Sequence, residues 1–211
     1  MERHAKIVLL LAAALGCAAG PAPRGAPPAA DRSRPPTGGS RTLDDVVRSD
    51  LAQDHAFPWS ATRPLAWEDF QGQPPSAGPE GAKTSYILYS VWRCRGQAFE
   101  YRVVVAFRPR ESWVKAAVLD DSLERRTLLS HEQTHFDLGE VHARSMRQAF
   151  GYLADPCRKT DAELGALADR LGNQEQAEQR RYDAETNHGL RDAEQAAWSL
   201  QIRRRLAGAG F

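Results

Sequence analysis

The chain has 211 residues, 42% of them hydrophobic, and a formal net charge of +1. Such a balance offers no basic footprint for a polyanion, so nucleic acid is excluded as the main partner. Arg203, Arg204 and Arg205 form one short basic run, which reads first as a solvated helix end matched to the macrodipole and second as a binding patch.

In chain order, Arg3, His4 and Lys6 precede an apolar run from Ile7 to Gly16. Ten apolar residues are too few to cross a hydrocarbon core about 30 Å thick, so residues 1–17 read as an export signal. Ala14-Leu15-Gly16-Cys17 has the form of a lipoprotein cleavage box, although its leucine lies two rather than three places before the cysteine. Cys17 is therefore the candidate lipidation site, with membrane tethering through it; ordinary cleavage beyond Ala19 is the alternative. Residues 18–40 hold Pro21, Pro23, Pro27, Pro28, Pro35 and Pro36 among small residues and Arg. They bury too little to offset their ordering entropy and read as a disordered linker. Residues 41–211 remain as one domain.

Pro64 to Phe70 alternates and is expected as a short strand; Gly72 to Gly81, rich in Gly and Pro, is expected as a loop. Ser85–Trp92 and Phe99–Phe107 are dense in β-branched and aromatic residues around Arg95-Gly96-Gln97, which predicts an antiparallel hairpin. Ser112 to Val118 is expected as a third strand, and an edge of this sheet could bind an extended peptide. From Asp121 the period changes. Asp121 with Glu124 fits a capping box, and Leu128, Leu129, Phe136, Val141, Met146, Ala149, Phe150 and Leu153 mark a long helix stopped at Asp155-Pro156. Leu164, Leu167, Leu171, Ala177 and Tyr182 mark a second helix over 161–188 with Gly189 as its stop, and Ala196, Trp198 and Ile202 a third over 192–206. The predicted class is α+β, a small antiparallel sheet followed by helices. Trp67, Phe70, Trp113 and Trp198 read as core aromatics, and Asp69 as either a substrate contact or a turn cap. Cys94 and Cys157 in an exported chain predict a disulfide, with two separate buried thiols as the alternative.

The chemistry concentrates at His131-Glu132-Gln133-Thr134-His135. On a helix, positions i and i+4 lie about 40° apart around the axis and about 6 Å along it, so two imidazoles can converge on one ion. Glu132, about 100° round, can reach a water at that ion without ligating it and so suits a general base. Zn²⁺ is the expected cofactor, and it needs a third protein ligand. His142 does not qualify: Leu138 and Val141 stand where the HExxHxxGxxH pattern needs Gly and His, and His142 lies about 10 Å along the axis from His135. Asp137 and Glu140 read as solvated or supporting carboxylates. Glu185 and His188, spaced i, i+3 near the end of the second helix, are the candidates; His188 is favoured because Gly189 lets the chain turn beside it.

Leu128-Leu129-Ser130-His131-Glu132-Gln133-Thr134-His135-Phe136-Asp137, with Arg144, resembles the HEQxHFD signature of a bacterial family of predicted secreted zinc-dependent proteases, long catalogued as a domain of unknown function. The resemblance extends to Trp67-Glu68-Asp69-Phe70-Gln71-Gly72, Ser112-Trp113-Val114, Tyr182-Asp183, Glu185-Thr186, His188-Gly189, Gln195 and Trp198. It implies a zincin-like peptidase with a peptide or protein substrate, and Tyr182 and Thr186 as supporting residues. The expectation is thus an exported, periplasmic or envelope-anchored zinc metallopeptidase; the alternative is a noncatalytic zinc-binding or peptide-binding envelope lipoprotein.

Overall fold

The computed structural model of the protein describes residues 4–12 and 41–208. Cys17 and the whole of the expected linker, 18–40, lie outside them. The described part of the stretch read as an export signal takes strand form, β1 (His4–Ala12). The domain begins with α1 (Leu43–Gln53), an element with no strong sequence mark beyond its cap: Thr42 and Asp45 exchange side-chain and backbone hydrogen bonds in a capping box. After β2 (Phe57–Pro58) the expected strand at 64–70 is instead a single 3₁₀ turn at Trp67–Asp69. Asp69 caps that turn by accepting from the Ala66 amide at 2.9 Å and pairs with Arg63 at 2.7 Å. Local side-chain bonds of this kind compete with a strand ladder.

Residues 72–81 form no regular element. β3 (Ala82–Lys83), β4 (Ser85–Arg95) and β5 (Ala98–Phe107) follow. β4 and β5 form the expected hairpin, in register from Tyr86 opposite Phe107 to Arg95 opposite Ala98. The third strand is shorter than expected. β6 holds only Trp113–Val114, paired with β3, and Ala116–Asp120 is a helical turn, α2. Two alanines and a leucine in 116–119 favour helix once Lys115 has passed. The main sheet is antiparallel in the order β1-β4-β5-β2, and β1 runs along β4 from His4 opposite Arg93 to Ala12 opposite Ser85.

Three long helices complete the α+β fold: α3 (Ser122–Gly151), α4 (Asp161–Thr186) and α5 (Asp192–Leu206). α3 ends four residues before the expected stop. β4 is buried on both faces, which is why its sequence is almost continuously apolar. Tyr86, Leu88 and Trp92 meet α3 through Phe136, Met146 and Phe150, while Ile87, Tyr89 and Val91 meet Leu43, Val47 and Leu51 of α1. Gly139 lets α3 cross the sheet closely, since a Cβ there would lie 3.0 Å from Tyr86 and from Val105 side-chain atoms. Trp67, Phe70, Trp113 and Trp198 are all buried, as expected of core aromatics. Cys94 and Cys157 are joined in a disulfide that ties the end of β4 to the turn before α4. No helix among the described residues is long and apolar enough to cross a membrane.

Candidate metal centre

α3 starts firmly, with Asp121 Oδ1 accepting from the amides of Leu123 and Glu124, each at 2.8 Å. Ten residues on, His131 and His135 point the same way, into the space that α4 and α5 cover, and both are only 2% exposed. Their Nε2 atoms are 3.1 Å apart. Asp183 of α4 brings Oδ1 to 3.3 Å from His131 Nε2 and 2.9 Å from His135 Nε2. The edge of a tetrahedron with metal–ligand bonds of ~2.0–2.1 Å is about 3.3 Å, so these three atoms are spaced as three corners around one ion.

The opposite ring nitrogens decide what Nε2 can do. His135 Nδ1 lies 2.6 Å from Gln179 Oε1, and His131 Nδ1 lies 3.0 Å from Gln195 Oε1. Each amide is oriented by its other contacts. Gln179 Nε2 faces three acceptors, Tyr86 Oη at 2.5 Å, Glu175 Oε1 at 2.8 Å and the His135 carbonyl at 3.0 Å, so its oxygen must face the histidine. Gln195 Nε2 donates to Ser199 Oγ at 3.1 Å, and its oxygen also accepts from Tyr182 Oη at 2.7 Å. Both histidines therefore hold a proton on Nδ1, and in the neutral ring Nε2 presents its lone pair to Asp183. With both imidazoles neutral, two lone pairs and a carboxylate oxygen face one another, and Asp183 Oδ1 has no hydrogen-bond donor. Only a cation or a proton relieves that arrangement.

The titration behaviour of the protein without metal agrees. Burial disfavours the charged imidazole of His135, but the Asp183 carboxylate beside it prevails and pushes it up to about 9. Burial likewise works against the Asp183 anion, yet His135 and His131 hold its carboxyl well below the usual carboxylate range. The donor set, two imidazoles and a carboxylate with oriented outer partners, fits Zn²⁺. Glu132 is 3% exposed, and its Oε2 is buried with no hydrogen-bond partner. A carboxylate in that condition is costly unless a water or substrate proton is its intended partner.

The two expected third ligands lie outside the group of three atoms that could hold an ion. Neither His188 nor Glu185 joins the cluster; Asp183 does. Glu185 is held outward, its Oε2 accepting from Trp198 Nε1 at 2.7 Å. His188 stands at the rim, 59% exposed, with Nδ1 3.8 Å from Asp183 Oδ1. α4 ends at Thr186, and Asn187, His188 and Gly189 all take positive φ, at 50°, 55° and 83°. The chain thus turns at His188, whose ring stops beside Asp183 and outside the group of three. Gly189 closes directly over His131, where an added Cβ would sit 3.1 Å from its Cβ and Cγ.

Tyr182 and Thr186 pack against the histidines and the turn beside them. Tyr182 stacks on His131 at 4.8 Å between ring centroids and meets His135 edge-on. Thr186 Oγ1 donates to the Tyr182 carbonyl at 2.8 Å and accepts from the Gly189 amide at 3.3 Å, fixing the turn. Asp137 serves elsewhere: it accepts from Trp59 Nε1 at 2.8 Å and Gln133 Nε2 at 2.7 Å, while Gln133 Oε1 accepts from the Leu65 amide at 2.6 Å. The two polar residues thus clamp the 59–65 segment to the far side of α3. Glu140 pairs with Arg144 and Arg147, and His142 with Glu178 at 2.6 Å.

A family model described as "Bacterial protein of unknown function (DUF922)" matches residues 75–189, more than half of the chain, and the chain belongs to that family. The matched span contains the strands β3 to β6, the HEQTH segment and Asp183. No curated protein and no solved structure matches the chain.

Proposed function

We propose that this member of the DUF922 family is an exported zinc-dependent hydrolase of amide bonds, acting on peptides or proteins. The observation that carries the reading is the convergence of His131 Nε2, His135 Nε2 and Asp183 Oδ1 beside a buried Glu132 with a free carboxylate oxygen. A zinc ion held by these three side chains would supply Lewis acidity, polarising a carbonyl and bringing a water's pKa down to about 7. Glu132 then takes the proton of the attacking water at Oε2 and returns it to the leaving amine. Gln179 and Gln195 keep the two histidines in the ligating tautomer. His188, exposed at the rim beside Asp183, is placed to donate a hydrogen bond to the carbonyl oxygen as charge develops there. The strained backbone at His188 suits a residue kept for function rather than for packing.

The test is digestion of an unbiased peptide library by zinc-loaded wild type and Glu132→Gln. Gln cannot accept the proton, so cleavage should fall at least ~10²-fold with zinc content and fold unchanged. Equal cleavage by both proteins would remove Glu132 as the base. Burial of both imidazoles also suits the second reading, a noncatalytic zinc-binding envelope protein. That reading gains if zinc binds fully and no peptide in the library is cut.

A further inference from the structure

The basic run at the end of α5 is not one solvated patch. Arg205 turns inward and pairs with Glu178 at 2.7 Å, whereas Arg203 lines an open groove of about 370 Å³ between the first half of α3 and α5. Arg126 lines the same groove from α3. Neither guanidinium makes a side-chain hydrogen bond or ion pair among the described residues. The remaining polar lining is chiefly neutral, from Ser130, Ser199 and Gln195, and the single acid is Asp192. The lining itself thus holds two guanidiniums against one carboxylate, with Asp121 in the field of Arg126 and Asp137 in that of Arg203. Guanidinium forks match planar or tetrahedral oxyanions, and hydroxyls and amides complete such sites.

We propose that this groove binds a small oxyanion, a carboxylate- or phosphate-bearing ligand, between Arg126 and Arg203. The site lies apart from the metal, behind His131: Gln195 lines the groove and also accepts from His131 Nδ1. A ligand here is therefore separate from the substrate of the zinc centre, and the inference stands whether or not that centre is catalytic.

The experiment is a chemical-shift titration of the protein, metal-free and zinc-loaded, with inorganic phosphate and separately with acetate. The proposal expects saturable shifts confined to resonances around Ser130, Gln195 and Ser199 in at least one of the two series. Arg126→Gln/Arg203→Gln should weaken that binding at least about tenfold, since each lost charge-assisted contact is worth roughly that factor. Arg170→Gln, an exposed arginine on α4, should leave it unchanged. Saturation by phosphate alone assigns a phosphate-bearing ligand; saturation by acetate alone assigns a carboxylate. Linear, unsaturated shifts up to high concentration, or equal weakening in the Arg170 variant, would overturn the proposal.

Discussion

A histidine offers Nε2 to a metal only while Nδ1 holds the proton, and two neutral amides enforce that here. Replacing Gln195 by Leu removes the acceptor for His131 Nδ1 and for Tyr182 Oη together. Zinc affinity should fall about 10–100-fold in Gln195→Leu, the usual cost of losing an outer partner, read by competition with a chromophoric chelator. An unchanged affinity would mean that His131 is oriented by something else. His135 adds a pH dependence whose sign follows from its raised value. Without metal, its proton stabilises the fold fully below its ordinary 6.5, and that stabilisation is lost as pH rises through about 9. Metal must displace the same proton, so zinc affinity should rise with pH across this window while the stability of the metal-free protein falls. Chelator-buffered zinc titrations between pH 6 and 9 check the first, and thermal unfolding of metal-free protein checks the second. Flat profiles would contradict the His135–Asp183 pairing. Gly189→Ala meets both a positive φ and the His131 ring, and should weaken zinc binding as well as the fold.

At the scale of elements, α4 explains why Asp183 escaped the sequence. Its early inner positions, Leu164 and Ala168, are apolar, but farther along the buried residues are Glu175, Gln179, Tyr182 and Thr186. A search for apolar periodicity picked Ala177, which is exposed, and passed over the polar face. The i, i+4 series Glu175, Gln179, Asp183 was the available signal, because polar residues recurring on one helix face opposite two histidines can serve a site. The HEQTH helix was legible because i, i+4 spacing and its cap are local. The turn at His188 was not, because a left-handed Asn187 ends a helix in the ordinary way but a second left-handed residue, His188, does not follow from it. The loss of strand at 64–70 has the same character: Asp69 capping its own turn decides it. Tyr86 joins sheet to helix, donating to Glu175 and accepting from Gln179. Tyr86→Phe removes both bonds in a buried place and should cost about 1–3 kcal/mol in urea unfolding. A cost near zero would show that the network reorganises without it.

Across the whole molecule, the α+β order, the hairpin and the disulfide followed from patterns that survive any context. The disulfide constrains a 63-residue separation and should contribute about 2–4 kcal/mol, seen as a lowered unfolding midpoint on reduction. The small second sheet and α1 were illegible because two-residue strands and a mostly polar helix have almost no period to detect. What the fold adds is position: α3 carries two histidines and the buried Glu132, α4 carries Asp183 and one oriented amide, α5 the other. The central claim is that Asp183, not His188, completes the metal centre. Zinc content by elemental analysis of purified, folded Asp183→Asn and His188→Ala, side by side, tests it most directly. The account predicts about one zinc per chain in His188→Ala and little or none in Asp183→Asn; full zinc in Asp183→Asn with loss in His188→Ala would contradict it.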